Sequence, residues 1–240
     1  MELAIDTSTA TAGVALTDRG VLVAETTWRA GYNHTTQLYP VLEALLRLGG
    51  VGMERITSVI VAKGPGTFSG LRVGLSAAKG IALSRGIPLA AVSTLAVEAY
   101  PHMSSRSLIR PILDAGRGEL AVGAFRVQEG EMVEVVPPAI VTLEQLCDSI
   151  RGPTLFCGEH LPAIASELAK RLGPPGAMAP PATQVRRPAY LAALGWQRLV
   201  RGQTEDIAAL EPVYLRGPSI SKPRDLAPVA LGLPPSPEKR

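Results

Sequence analysis

The pattern that most restricts the fold occurs twice. Ile5-Asp6 leads through a short polar turn into the apolar stretch Ala12 to Leu16, and Leu113-Asp114 leads through Ala115-Gly116-Arg117-Gly118 into Leu120 to Phe125. Each copy then continues in the same order. A hairpin turn follows (Asp18-Arg19-Gly20; Gln128 to Glu131), then a strand (Val21 to Thr27; Met132 to Val136) and a helix (His34 to Leu48; Leu143 to Ile150). Turn residues between alternating apolar runs specify hairpins. Meeting strand, aspartate, turn, strand, hairpin and helix twice in one order points to an internal duplication.

The first copy goes on through an apolar β-branched run, Ser58 to Ala62, a glycine-rich turn, Gly64 to Gly70, a helix from Leu71 to Ser84 ending at Gly86, and a strand from Leu89 to Val92. An antiparallel start followed by crossover helices predicts α/β layers. After the polar stretch Pro101 to Arg106, the second copy is completed by a strand (Thr154 to Cys157) and a helix (Leu161 to Leu172). A Pro/Gly loop (Gly173 to Ala182) and a helix with proline in its first turn (Pro188 to Val200) follow. The expected organisation is two α/β units, 1–103 and 104–217. Residues 218–240, rich in proline and without helical or strand period, read as a mobile tail.

Composition narrows the function. With 240 residues, 46% of them hydrophobic, the chain has ample material for a core, which excludes a disordered polymer. Only 4% are aromatic, too few for a platform of stacked rings on single-stranded nucleic acid. The net charge of +3 invites a nucleic-acid reading, but Lys222, Arg224, Lys239 and Arg240 against Asp225 and Glu238 assign +2 of it to the tail. The folded body is nearly neutral, which favours protein partners. Cys147 and Cys157 are too few for a zinc knuckle or a disulfide framework. His34, His102 and His160 form no local ligand pair, so no metal site is expected, and no Gly-x-Ser-x-Gly elbow marks a serine nucleophile. Met1 is followed at once by a strand pattern, and no long apolar run occurs, which predicts a cytoplasmic protein without a membrane segment.

Two groups of residues carry candidate chemistry. Asp6-Thr7-Ser8, with Asp114 and Gly116 in the second copy, form hydroxyl- or glycine-bearing turns suited to a nucleotide phosphate and its Mg2+; the same aspartates also suit plain Asx-turns that fix hairpins. Both readings stand. The run Gly64 to Gly74 matches neither a P-loop nor a dinucleotide fingerprint. Beyond it, Gly70, Gly74, Ala78 and Ala82 fall four apart and make a smooth ridge, open either to the chain's own sheet or to a second chain. His34 stands at a helix start, at the surface or an interface. Glu211 to Arg216 reads as an extended docking segment.

Ala4-Ile5-Asp6-Thr7-Ser8, Asn33-His34-Thr35-Thr36, the Gly64 to Gly74 run and Glu211 to Arg216, taken in order over roughly residues 1–217, resemble the TsaB (YeaZ) family. The resemblance implies an actin-like fold of the sugar kinase/Hsp70/actin type, related to ribonuclease H, made of two duplicated α/β domains. It implies a part in making N6-threonylcarbamoyladenosine at position 37 of tRNAs that read codons starting with A. In this family the chain is a non-catalytic partner: the related transferase TsaD moves the threonylcarbamoyl group, TsaE brings ATPase activity, and tRNA is reached through the complex. TsaD carries His-x-x-x-His after the strand corresponding to Leu89 to Val92, where this chain has Ser93-Thr94-Leu95-Ala96-Val97-Glu98. The resemblance therefore implies no cofactor of the chain's own, with ATP and Mg2+ confined to the assembled complex. Pairing with TsaD, or with a second copy when alone, is expected through the two helices after Asn33 and after the glycine-rich turn. His34, Leu38, Leu42, Leu45, Gly70, Arg72, Gly74 and Ala78 are the expected contacts, and Gly74→Leu is expected to break assembly without unfolding the chain. The alternative is an ATP-dependent small-molecule kinase or ATPase of the same fold. A metallopeptidase lacks its ligands.

Overall fold

The fold is described by a computed structural model that covers residues 1–173 and 176–217. The tail expected at 218–240 lies outside the described residues. The first sheet consists of β1 (Glu2–Asp6), β2 (Thr11–Asp18), β3 (Val21–Arg29), β4 (Ser58–Gly64) and β5 (Leu89–Ser93), in the order β3-β2-β1-β4-β5. The second consists of β6 (Leu108–Gly116), β7 (Glu119–Gln128), β8 (Glu131–Val141), β9 (Thr154–Cys157) and β10 (Gly176–Met178). Its order, β8-β7-β6-β9-β10, repeats the first sheet strand for strand. In both, the first three strands pair antiparallel and the last two join parallel. The duplication read from the sequence is thus present in the topology.

Among the described residues six α-helices cover the sheets: α1 (His34–Leu48), α2 (Phe68–Arg85), α3 (Thr94–Ala99), α4 (Leu143–Asp148), α5 (Leu161–Leu172) and α6 (Pro188–Val200). Helix α1 buries Leu38, Leu42 and Leu45 on one face of the first sheet, beside Leu75, Ala78 and Ala82 of α2. The alternation of β1 explains the layering: Leu3 and Ile5 point to α1 and α2, while Ala4 points to α6 on the opposite face. Burying a large aliphatic side chain contributes roughly 1.5–3 kcal/mol, so the Leu/Ile face is the stronger of the two layers. The small-residue face admits α6 at short range. A Cβ on Gly195 would stand 2.2 Å from Ile60. Helix α2 stops where Gly86 adopts φ +61 and Ile87 N–H reaches back to the Ala82 carbonyl.

Three departures from the sequence reading have local causes. Helix α2 begins at Phe68 rather than Leu71, because Thr67 takes the cap position in an extended conformation and the glycine-rich turn is helical from there. Helix α3 was not legible: it has six residues, five of them buried, and no polar face to set a period. Strand β10 occupies part of the expected loop 173–182 and pairs with β9. The packing also crosses the expected boundary at 103/104. Helix α3 bridges the two sheets, with Leu95 and Ala99 among Ile109, Leu113 and Phe125 of the second and Val97 among Ile60, Ala62 and Val92 of the first, whereas α6 lies on the first, with Leu191 and Ala192 among Ala4, Ala15 and Ile60. The first lobe is therefore completed by a helix from the second half of the chain.

Candidate functional site

The chain crosses between the lobes through α3 and again through residues 179–188. Where these crossings meet β1, the side chain of Arg186 is buried, with 1% of its surface exposed. Its Nε donates to Asp6 Oδ2 at 2.5 Å, and Nη1 donates to Glu98 Oε1 at 3.0 Å and Glu159 Oε2 at 3.2 Å. Nη2 donates to Thr9 Oγ1 at 2.8 Å and to the Thr11 carbonyl at 3.1 Å. The planar guanidinium, with its fixed fork of donors, is the side chain that can satisfy so many acceptors at once. Burial alone would lower its pKa, but the charges of Asp6, Glu159 and Glu98 outweigh it, so the net direction is upward and the group stays a cation. Burial pushes the Glu98 carboxyl up to about 7, against the opposing pull of Arg186.

In this arrangement Asp6 forms the Asx-turn. Its Oδ1 accepts the Ser8 N–H at 2.9 Å and the Ser8 hydroxyl at 2.6 Å, an Asx-turn, while Oδ2 is taken by Arg186. Thr7 Oγ1 donates to the Gly70 carbonyl at 2.7 Å. Asp6, Thr7 and Ser8 are buried and bonded within the chain, in the arrangement of a structural turn. Asp114 forms the equivalent turn, accepting the Gly116 N–H at 2.8 Å. Unlike the first set, Asp114 and Gly116 line an interlobe cleft of about 380 Å³, walled by Pro65–Phe68 at the start of α2, by Leu113–Arg117 and by Tyr214–Gly217. The five expected ligands are thus split between a closed turn and an open cleft. Among the described residues, no group of three or more His, Cys, Asp or Glu is placed to hold a metal ion.

Most of the expected partner contacts lie in the chain's own core. Leu38, Leu42 and Leu45 are buried beneath α1 in the chain's own core, and His34 is buried with its Nε2–H donating to the Thr9 carbonyl at 2.7 Å. The small-residue ridge faces inward as well. A Cβ on Gly70 would stand 2.2 Å from the Thr7 carbonyl oxygen, and one on Gly74 would stand 2.4 Å from Thr7 Oγ1. Ala78 is fully buried in the same layer. These residues let α2 lie close on its own β1 turn, so Gly74→Leu would damage the monomer first. Of the expected contacts, Arg72 alone is exposed. It stacks on the Phe68 ring with its guanidinium carbon 3.9 Å from the centroid, and its Nε donates to the Tyr214 hydroxyl at 3.2 Å.

The segment Glu211 to Arg216 docks as expected. Val213 N–H donates to the Lys63 carbonyl at 2.7 Å, at the C-terminal end of β4, and the Tyr214 ring lies 4.9 Å from Phe68. What the helices present outward is a different set. Along α2, Arg72, Ser76, Gly80 and Leu83 form an exposed stripe, and α1 exposes Thr36, Tyr39, Glu43 and Arg47. Tyr39 and Leu83 keep 60% and 65% of their surface open, a large apolar exposure for side chains on adjacent helices. Sequence periodicity located the apolar faces of α1 and α2 but not this outer one. Arg186 was missed altogether, because it stands in a loop and its partners are as far as 180 residues away.

Comparison with known proteins adds an independent line. Residues 28–209 match the family model described as TsaD, tRNA N6-adenosine threonylcarbamoyltransferase. The tRNA threonylcarbamoyladenosine biosynthesis protein TsaB of Bacillus subtilis is 33% identical over 217 residues, covering 89% of this chain and 93% of that protein. The protein of the same description from Escherichia coli is 29% identical over 224 residues, with 89% and 94% covered. Among solved structures, YeaZ from Pseudomonas aeruginosa superposes with a TM-score of 0.75 at 25% identity, covering 89% of this chain and 99% of that one. With two five-stranded sheets of one topology, the fold is the actin-like arrangement that the resemblance implied.

Proposed function

Because the chain belongs to the TsaB family, whose members serve the synthesis of tRNA threonylcarbamoyladenosine, we propose that it acts there as a non-catalytic partner of the transferase TsaD. Pairing uses the outward faces of α1 and α2. The observation that carries this reading is the apolar exposure of Tyr39 and Leu83 on two adjacent helices, with Ser76 and Gly80 leaving room for another helix to approach. Alone, the chain pairs with a second copy through the same face. TsaE joins the assembled pair, and ATP and Mg2+ act in that assembly.

The non-catalytic part of the reading is supported by Asp6. Asp6 accepts two hydrogen bonds from Ser8 on Oδ1 and one from Arg186 on Oδ2, which commits its carboxylate to the chain's own turn rather than to a hydrated cation. The nearly neutral folded body supports contact with tRNA through the partners, and the reaction they share belongs to the cytoplasm. Reconstitution tests the proposal: tRNA modification is measured with TsaD, TsaE and the adenylate-forming enzyme, with and without this chain. Modification should depend on the chain, and the chain alone should turn nothing over. Undiminished modification in its absence overturns the reading. Saturable Mg-ATP binding to the isolated chain in calorimetry would instead favour a kinase or ATPase working from the Asp114 cleft.

A further inference from the structure

The turn between β1 and β2 is a seat for two helices. Its first half holds α2: Ser8 accepts the Thr67 N–H on its carbonyl at 2.7 Å, Thr7 Oγ1 donates to the Gly70 carbonyl at 2.7 Å, and a Cβ on Gly66 would stand 2.1 Å from the Ser8 carbonyl oxygen. Its second half holds α1: Thr9 accepts His34 Nε2–H at 2.7 Å, and the Ala10 carbonyl accepts the N–H groups of Ala30 and Gly31 at 2.9 and 3.0 Å. The seat is thereby bonded to the first turns of both helices. What fixes the seat is Arg186, which grips it at Asp6, Thr9 and Thr11.

The other side of the same guanidinium faces the second lobe. Glu159 follows β9 of the second sheet, and Glu98 stands on α3, the helix that packs against both sheets. The Glu159 N–H also donates to Glu98 Oε1 at 3.4 Å, so the two acids form one unit. We propose that Arg186 is a positioning residue that transmits the placement of the second lobe to the α1–α2 face, by pinning the turn on which both helices begin. A shift of Glu98 and Glu159 relative to the first sheet moves the guanidinium, the guanidinium moves the seat at residues 6–11, and the seat tilts the starts of α1 and α2. A cation with this many directional bonds is rigid enough to carry displacement. The consequence for partner binding rests on the proposed use of the α1–α2 face, whereas the coupling itself does not.

Two variants test the coupling in the full chain. Arg186→Lys keeps the charge and loses the fork. Glu159→Gln, at the hub's 22% exposed carboxylate, replaces the charge-assisted bond to Nη1 with a neutral one and so weakens the second lobe's hold on the guanidinium. Hydrogen exchange of the isolated protein should accelerate at least tenfold at residues 6–11, 30–38 and 66–72, while β6, β9 and the C-terminal halves of α1 and α2 keep their protection. Affinity for the transferase should fall by about tenfold. Unchanged exchange at the two helix starts, or equal acceleration throughout the chain, overturns the proposal. If Arg186→Lys does not fold, Glu159→Gln carries the test by the same criteria. Tyr39→Asp on the outward face separates the two readings: if it leaves transferase pairing intact while Glu159→Gln still loosens the helix starts, the coupling stands and the pairing surface lies elsewhere.

Discussion

Arg186 and Asp6 are 180 residues apart in sequence and 2.5 Å apart in space, Nε to Oδ2, both buried. The pair joins the end of β1 to the segment entering α6 at the boundary between the lobes. Taking these charges out of water is costly, and only the number of bonds on the guanidinium offsets the loss.

Removing the cation should therefore destabilise the chain strongly. In Arg186→Met the carboxylates of Asp6, Glu98 and Glu159 lose their shared partner, and breaking one side of a buried pair costs about 3–5 kcal/mol. Urea denaturation followed by circular dichroism reads this as a lowered midpoint. Asp6→Asn in the Arg186→Met background should cost less than Asp6→Asn alone, since the two substitutions remove one interaction. Additive costs would show that the two residues act independently.

The Glu98 carboxyl gives the hub a pH signature. Its pKa in the folded chain is about 7, above the usual 4.5, because burial favours the neutral acid. The folded state then holds this proton more tightly than the unfolded state does. Glu98 accordingly contributes stability that is fully present below about pH 4.5 and is lost as pH rises through about 7. In Glu98→Gln the side chain no longer titrates, and the fall in stability between those two values should become shallower. Denaturation midpoints across that range, compared between wild type and variant, check it; identical slopes would show that Glu98 keeps one protonation state throughout.

How much of this was legible in the sequence follows from the range of the interactions. The strands of both sheets except β10, helices α1, α5 and α6 and the duplication could be read, because apolar periodicity and turn residues act over a few positions. The residues that seat α2 were found as well, but their direction was not. Gly70, Gly74 and Ala78 make the same ridge whether it meets a sheet or a partner, and only the approach of Thr7 assigns it inward. The hub was out of reach for a stronger reason. Neither Arg186 nor Glu159 belongs to a periodic element or a motif, and nothing local distinguishes an arginine that crosses between lobes from one that faces solvent.

Two glycines of α2 should respond in opposite directions. At Gly74 an added methyl group meets Thr7 Oγ1 at 2.4 Å, on a hydroxyl already bonded to the Gly70 carbonyl. Gly74→Ala is expected to cost about 1–3 kcal/mol by overpacking. Gly80 lies mid-helix and exposed, with nothing within 4 Å of the new methyl group. There Gly80→Ala should stabilise the isolated chain by roughly 0.5–1 kcal/mol, through reduced entropy of the unfolded state and better helix propensity. Thermal melts of the two variants and wild type make the comparison. A loss at Gly80 equal to that at Gly74 would mean that the helix is oriented differently.

The outward face should affect pairing without affecting the fold. Tyr39 and Leu83 contribute little to the chain's own core, so Tyr39→Asp and Leu83→Glu should leave the melting temperature within about 2 °C of wild type, as surface substitutions do. On a helix–helix contact each places a charge in an apolar interface without a partner, and the loss of affinity for the transferase should reach tenfold or more. Arg72→Ala is the internal comparison. Its guanidinium is held on Phe68 and Tyr214 of the chain itself, so it should loosen the docked segment 211–216 and weaken pairing less than Leu83→Glu on the same stripe. Titration of each variant with TsaD in calorimetry, alongside melts of the isolated chains, ranks the three. If Arg72→Ala alone abolishes pairing while both apolar variants bind as wild type, the contact is polar and centred on the mouth of the interlobe cleft instead.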